Sequence, residues 1–213
     1  MEMRAPEHAL RQVDEPPARS NAAPFSPAPA AWDVPDLAGR LTQIAATGAG
    51  AALTACADLL WKAQHRAEPC AWISARPSTF HPPDLQASGI DLAALPIVRA
   101  PDPAAAARAA DKLLRSGAFG LVILDLGVRP VIPSPLLSRL LALARKQDSA
   151  VVLLTESAGE ATSLAPIVSL RVVTSRRRLA PDRFVCRIEA AKDKTRGPGW
   201  VCEETFRGPP GLR

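Results

Sequence analysis

The sequence predicts an α/β domain: a mainly parallel sheet with helices on both faces, extended by antiparallel strands at its C-terminal end. Three observations predict it. Short, almost wholly apolar runs such as GLVILD (120–125) and AVVLL (150–154) suit strands that are covered on both faces. They alternate with segments of helical period, joined by short links. Beyond about residue 165 the pattern changes to two-residue alternation in SLRVVTS, RFVCRIEAA and GWVCEETF, as antiparallel strands with one wet face require.

Each element follows in chain order. Residues 1–36 contain seven prolines and eight alanines without an apolar period, a composition too poor in burial to offset chain entropy, and they are expected to form a disordered arm whose aromatic side chains are Phe25 and Trp32. The folded domain is expected over 37–206, and a flexible basic tail over 207–213. RLTQIAA (40–46) reads as the first strand. Gly50–Ala67 then reads as a helix whose inner face is expected at Leu53, Ala57, Leu60, Trp61 and Gln64. CAWISA (70–75) is a strand, followed by a short helical piece near Leu85 and a strand at Pro96–Arg99. Asp102 before Pro103 has the form of an N-cap with proline at the first helical position, opening a helix that stops at Ser116–Gly117. After GLVILD, Ser134–Pro135 repeats the cap signature before a Leu-rich helix to Lys146, and AVVLLTE (150–156) is the next buried strand.

Of the 213 residues, 47% are hydrophobic and 22% charged, which suits one domain plus tails. No apolar run approaches the roughly 18–20 residues of a membrane span, and MEMRAPEHALRQ lacks the apolar core of a secretion signal, so a cytoplasmic protein with no membrane partner is expected. Cys56, Cys70, Cys186 and Cys202 are widely spaced, with no CxxC, and read as free thiols rather than as metal ligands or disulfides. The charge is unevenly placed. Residues 1–170 carry 15 Lys/Arg against 16 Asp/Glu, whereas 171–213 carry 11 against 5. A basic strip at one end is the footprint of a polyanion or an acidic protein partner, and its members are Arg176, Arg177, Arg178, Lys192, Lys194, Arg196 and Arg207. A solvated surface would look the same in sequence. Tyrosine is absent and aromatics in the strip are few, which gives little support to a base-stacking platform.

In a doubly wound sheet, ligands bind beyond the carboxyl ends of the strands. There the first strand runs into TGAGAALTA, the position of a phosphate-binding loop. Gly48 and Gly50 would let backbone amides approach an anion, but Ala51 and Ala52 stand where a Walker A loop needs its lysine and its hydroxyl. Asp125 closes LVILD at the position of a Walker B carboxylate, a place that structural capping also fills. CAWISA is followed by Arg76, not by an acid able to activate water. The electrostatic and general-base contributions to nucleotide hydrolysis are therefore missing, so neither enzymatic activity nor a cofactor or metal is expected. His8, His65 and His81 fall in unrelated settings, and no GxSxG or HExxH is present.

These residues resemble the RecA-like recombinase core, and within it the ATPase-incompetent ImuA proteins of bacterial SOS mutagenesis. The resemblance covers roughly 39–200 and rests on GRLTQIAATGAGAALT, on CAWISA followed by GIDLAALPIVRAPD, on LLRSGAFGLVILDLG and on AAKDKTRGPG. RSGA just before the Walker B strand is its most specific part. It implies a RecA-like P-loop core with a degenerate Walker A: the phosphate-binding Lys and Thr fall on Ala51 and Ala52, the water-activating glutamate falls near Arg76, and Asp125 survives. Thr155–Glu156 stand where the family carries a polar γ-phosphate sensor, and Lys192 and Lys194 match basic residues that reach a neighbouring subunit. The resemblance implies an adaptor in error-prone translesion synthesis that binds RecA and an ImuB-type Y-family-like polymerase, and indirectly an error-prone DnaE-type polymerase, with direct DNA contact left open. The alternatives are a SulA-like division inhibitor, also a small RecA-like fold without the lysine, and a RecA-type ATPase with an unorthodox loop.

Overall fold

A computed structural model describes residues 32–46, 51–75, 80–156 and 164–207. The element order is α1 (Val34–Leu37), β1 (Leu41–Ala46), α2 (Ala52–His65), β2 (Cys70–Ala75), a 3-10 turn (Pro82–Ser88), β3 (Ile97–Ala100), α3 (Pro103–Ser116), β4 (Leu121–Val128), α4 (Ser134–Gln147), β5 (Ala150–Glu156), β6 (Leu170–Ala180), β7 (Arg183–Asp193) and β8 (Val201–Arg207). The strands form one eight-stranded sheet in the order β3-β2-β4-β5-β1-β6-β7-β8. From β3 to β6 every pairing is parallel, and β7 and β8 are added antiparallel. SLRVVTS, expected as an antiparallel strand, is instead parallel: β6 continues the parallel sheet beside β1 and is antiparallel only to β7. The change of patterning after residue 165 thus marks where the sheet becomes partly wet and not where its direction changes, which falls between β6 and β7.

The parallel strands are apolar throughout because each face has its own cover. One face, with Ile44, Trp72, Ile123 and Val152, packs against α1, α2 and the 3-10 turn; the other, with Leu41, Ile73, Leu124 and Leu153, packs against α3 and α4. Alanines at 106, 107 and 110 are fully buried, so α3 can lie close on the sheet. Asp102 caps it by accepting a 2.6 Å hydrogen bond from the Ala105 N–H, and Gly117 ends it at φ +69°, a conformation that costs glycine nothing. Asp111 on α3 is held by Arg115 and, at 2.6 Å, by Arg139 of α4, which ties the two helices together.

Four sequence expectations about element boundaries and faces require correction. The ordered domain begins before residue 37: Trp32 is 2% exposed, its indole N–H donates to the Ala55 carbonyl, and Asp33 caps α1. One buried tryptophan supplies enough area to anchor an otherwise Pro/Ala-rich stretch; the rest of the proposed arm, 1–31, lies outside the described residues. At the other end β8 runs through Arg207, which pairs with Arg183, so Arg207 belongs to the sheet and the remaining tail, 208–213, lies outside the described residues. Finally, the inner face of α2 is Ala52, Ala55, Cys56, Leu59, Leu60 and Ala63, while Leu53 and Trp61 face out at 44% and 41% exposure. Leu60 is inside as expected, but the helix is turned so that Leu59 and the small residues Ala52, Ala55, Cys56 and Ala63 are buried in place of Leu53 and Trp61. At α4 the N-cap is Pro133, with Ser134 the first helical residue.

Candidate functional site

At the carboxyl end of the parallel strands, Gly48 and Gly50 lie outside the described residues, as does Arg76. Ala51 is the N-cap of α2 and makes no side-chain cap, and both it and Ala52 are buried. The α2 N-terminus therefore meets its surroundings with methyl groups at the two positions the sequence singled out. Asp125 is buried in β4, in register with Ser74 of β2 and Leu154 of β5. Burial pushes the Cys56 thiol far above its ordinary range, and the charge of Asp125 adds to the effect. Beyond Asp125 the β4–β5 register shifts, and Gly127 at φ +67° allows the irregularity.

Thr155 is spent on the fold. Its hydroxyl accepts from Gln43 Nε2 at 3.1 Å and lies 3.4 Å from the Ile44 carbonyl, while Gln43 Oε1 accepts from the Leu164 N–H at 3.2 Å. This buried bridge joins β1, β5 and the segment before β6. Glu156 beside it is exposed.

The basic strip of the sequence is divided by the fold between two ends of the sheet. β6 and β7 form a hairpin, so Lys192, opposite Arg171, lies at the end where β1 begins, while Arg176, Arg177 and Arg178 run toward the tip beyond Thr174, the last β6 residue paired with β1. Arg171 and Arg178 are seven residues apart, about 23 Å along an extended strand. The two groups differ in how their charge is used.

At the β1 end the cations are mostly engaged. Asp193, with no side-chain exposure, accepts from the guanidinium of Arg40 at 2.5 Å, from the Trp200 indole at 2.9 Å, and from the Thr195 and Arg196 amides at 2.8 and 3.2 Å. Burial alone would raise this carboxyl, but these donors outweigh it and hold it below the ordinary value. Arg196 pairs with Asp36 of α1, and Lys192 donates to the Pro166 carbonyl at 3.0 Å. Burial, with Lys194 and Arg171 close by, lowers the Lys192 ammonium. The side chain of Lys194 is exposed.

At the tip, Arg176, Arg177, Arg178, Arg183 and Arg207 make no ion pair among the described residues. Arg176 lies 5.4 Å over the ring of Phe184, which in turn stacks with Phe206 at 5.9 Å. Arg178 donates to the Ala180 and Pro181 carbonyls of the turn. Arg183 and Arg207 are directly opposite on β7 and β8. Arg183 belongs to this group although the strip named from the sequence omits it; the signal was the Pro181–Asp182 turn, which folds it back opposite Ala180, next to the partner of Arg178.

A second cluster was also missed. Lys62 reaches Asp58 at 2.6 Å, Glu204 of β8 at 2.7 Å and the Trp32 carbonyl at 2.8 Å, joining α2, the sheet edge and the chain before α1. Burial raises Asp58 to about 6, against the opposing pull of Lys62. The i,i+4 spacing of Asp58 and Lys62 was legible; Glu204 came from the far end of the chain. All four cysteines are free, and burial pushes Cys186 up to about 12 and Cys70 to about 11. Among the described residues no group of His, Cys, Asp and Glu could hold a metal ion, and no helix is long and apolar enough to cross a membrane.

No protein-family model matches the chain, and no curated protein matches its sequence.

Proposed function

We propose that this chain is a non-catalytic adaptor in error-prone translesion DNA synthesis, binding RecA and an ImuB-type Y-family-like polymerase and, through them, an error-prone DnaE-type polymerase. The observation that carries the reading is a mainly parallel sheet, in an order compatible with a RecA-like layout, whose α2 begins with buried Ala51 and Ala52. A triphosphate at that place needs an ammonium to meet its charge and a hydroxyl to hold magnesium. The run RSGAFGLVILD (115–125), which leads from the end of α3 into β4 and Asp125, adds support from the sequence.

In this reading the domain presents a RecA-like face to RecA, and its antiparallel extension serves another partner. Binding, not turnover, is then the whole of its chemistry. The test is a pulldown with the tagged full chain against purified RecA and purified ImuB-type protein. Recovery of either supports the adaptor; recovery of neither overturns it. Calorimetry with Mg-ATP should show no binding at millimolar nucleotide, and turnover that disappears on Asp125→Ala would mark the chain as an ATPase instead.

A further inference from the structure

We infer that the tip of the β6–β7 hairpin, with the end of β8, is a contact surface for single-stranded DNA. The inference stands on the geometry of the tip and does not depend on which proteins the chain binds. Five arginines converge there, and none of them is neutralised by an acidic side chain among the described residues. The neighbouring acids are engaged elsewhere: Glu203 and Glu189 hold Arg187, and Glu204 holds Lys62. Asp182, in the turn itself, is the acid within 175–184. Arg183 directly opposite Arg207 is a like-charge cross-strand pair, an arrangement that costs stability until an anion lies between or over the two guanidiniums.

The distribution favours a nucleic-acid strand over an acidic protein. Arg176 and Arg178 alternate onto one face of β6, about 6.7 Å apart, close to the spacing of successive phosphates along a strand. Guanidinium, unlike ammonium, offers phosphate two parallel donors. Phe184 and Phe206 lie on the same face, cross-strand neighbours of Arg178; both are half-buried, Phe206 packing against the core and Phe184 carrying Arg176 over its ring, so cations for the backbone and the exposed part of the rings for bases share one strip. That combination of aromatic faces and a cationic track is how single strands are held without sequence preference. Arg177, Arg183 and Arg207, which alternate onto the opposite face, raise the potential of the whole tip.

The test uses the full chain and a fluorescent thymidine oligonucleotide, with anisotropy followed across salt. Binding should weaken with salt, with a slope of about −0.7 for each phosphate engaged. The double variant R176Q/R178Q should flatten that slope by about 1.4 and weaken binding about 25-fold at 0.1 M salt. Lys194→Gln, at the other end of the sheet, should bind like the wild type. Phe184→Leu should lose about 5-fold or more with the slope unchanged, because stacking carries no counterions. Circular dichroism and melting of each variant establish that it is folded, and the exposed arginine variants stand even where Phe184→Leu does not fold. No binding at 20 mM salt, duplex DNA or polyglutamate bound as tightly as the single strand, or a slope indifferent to R176Q/R178Q would each overturn the inference.

Discussion

Asp193 and Asp58 are both carboxyls drawn into the protein, and they titrate in opposite directions because their donors differ in number. Asp193 has four hydrogen-bond donors around it and is held below the usual range; Asp58 has Lys62, shared with Glu204, and is raised to about 6. Asp193→Ala should cost about 3–5 kcal/mol, since Arg40 and the Trp200 indole would be left buried without their acceptor; urea unfolding at pH 7 measures this. The pH windows are distinct. For Asp193 the folded value lies below the unfolded one, so its stabilisation is present above about pH 4 and is lost as pH falls through the folded value. For Asp58 the folded value lies above the unfolded one, so its contribution is greatest below about pH 4 and is lost as pH rises to about 6. Asp58→Asn should therefore gain on the wild type between pH 4 and 6 and keep a constant offset above that, as read from urea midpoints across pH. A flat difference over that window would refute the assignment. Residue identities were legible in both cases; which carboxyl had enough donors was not, because Arg40, Thr195 and Trp200 reach Asp193 from distant or turned segments.

Within elements, α2 gives the sharpest contrast between pattern and packing. Leu53, Ala57, Leu60, Trp61 and Gln64 obey a helical period, and so does the true inner face one step around the helix. Leu60 is fully buried and Leu53 is 44% exposed. Leu60→Ala should then cost about 2–5 kcal/mol and Leu53→Ala about 0.5 kcal/mol, a ranking that thermal denaturation of the two variants tests directly. Hydrophobicity could not separate the two faces, since both carry leucine, and the Ala and Cys that complete the inner one score below Leu53 and Trp61 yet fit closer to a flat sheet. The same competition explains the N-terminal boundary. Composition argued against order before residue 37, but Trp32 fills a site beside Ala55, and Trp32→Ala should destabilise the domain by about 3–5 kcal/mol, measured by the same melts. By contrast α3 was legible to the residue, because Asp102, Pro103 and Gly117 act locally and need no partner from elsewhere.

At the scale of the molecule, the parallel core and its antiparallel extension are joined by contacts that cross between them: Arg40 with Asp193, Lys62 with Glu204, and Cys186 and Ile188 in the core under α2. They should unfold as one unit, with far-ultraviolet and tryptophan signals giving coincident transitions. Glu204→Gln should speed hydrogen exchange in β8 before that of the parallel strands, because β8 is an edge strand and Glu204 ties it to α2. The sequence by itself determined the α/β class, the presence of antiparallel strands toward the C-terminal end, the alanines at 51 and 52 and the total of basic charge, since periodicity, caps and residue type are properties of short stretches of chain; that β6 still runs parallel to β1 was left to the tertiary structure. Only the tertiary structure decided which face of α2 is inside, that Trp32 and Arg207 belong to the domain, and that one basic strip becomes two groups about 23 Å apart. A hairpin reverses direction, so residues close in sequence part company: at the β1 end Arg196 meets Asp36 of α1 and Lys192 meets the Pro166 carbonyl, while the tip arginines make no ion pair among the described residues.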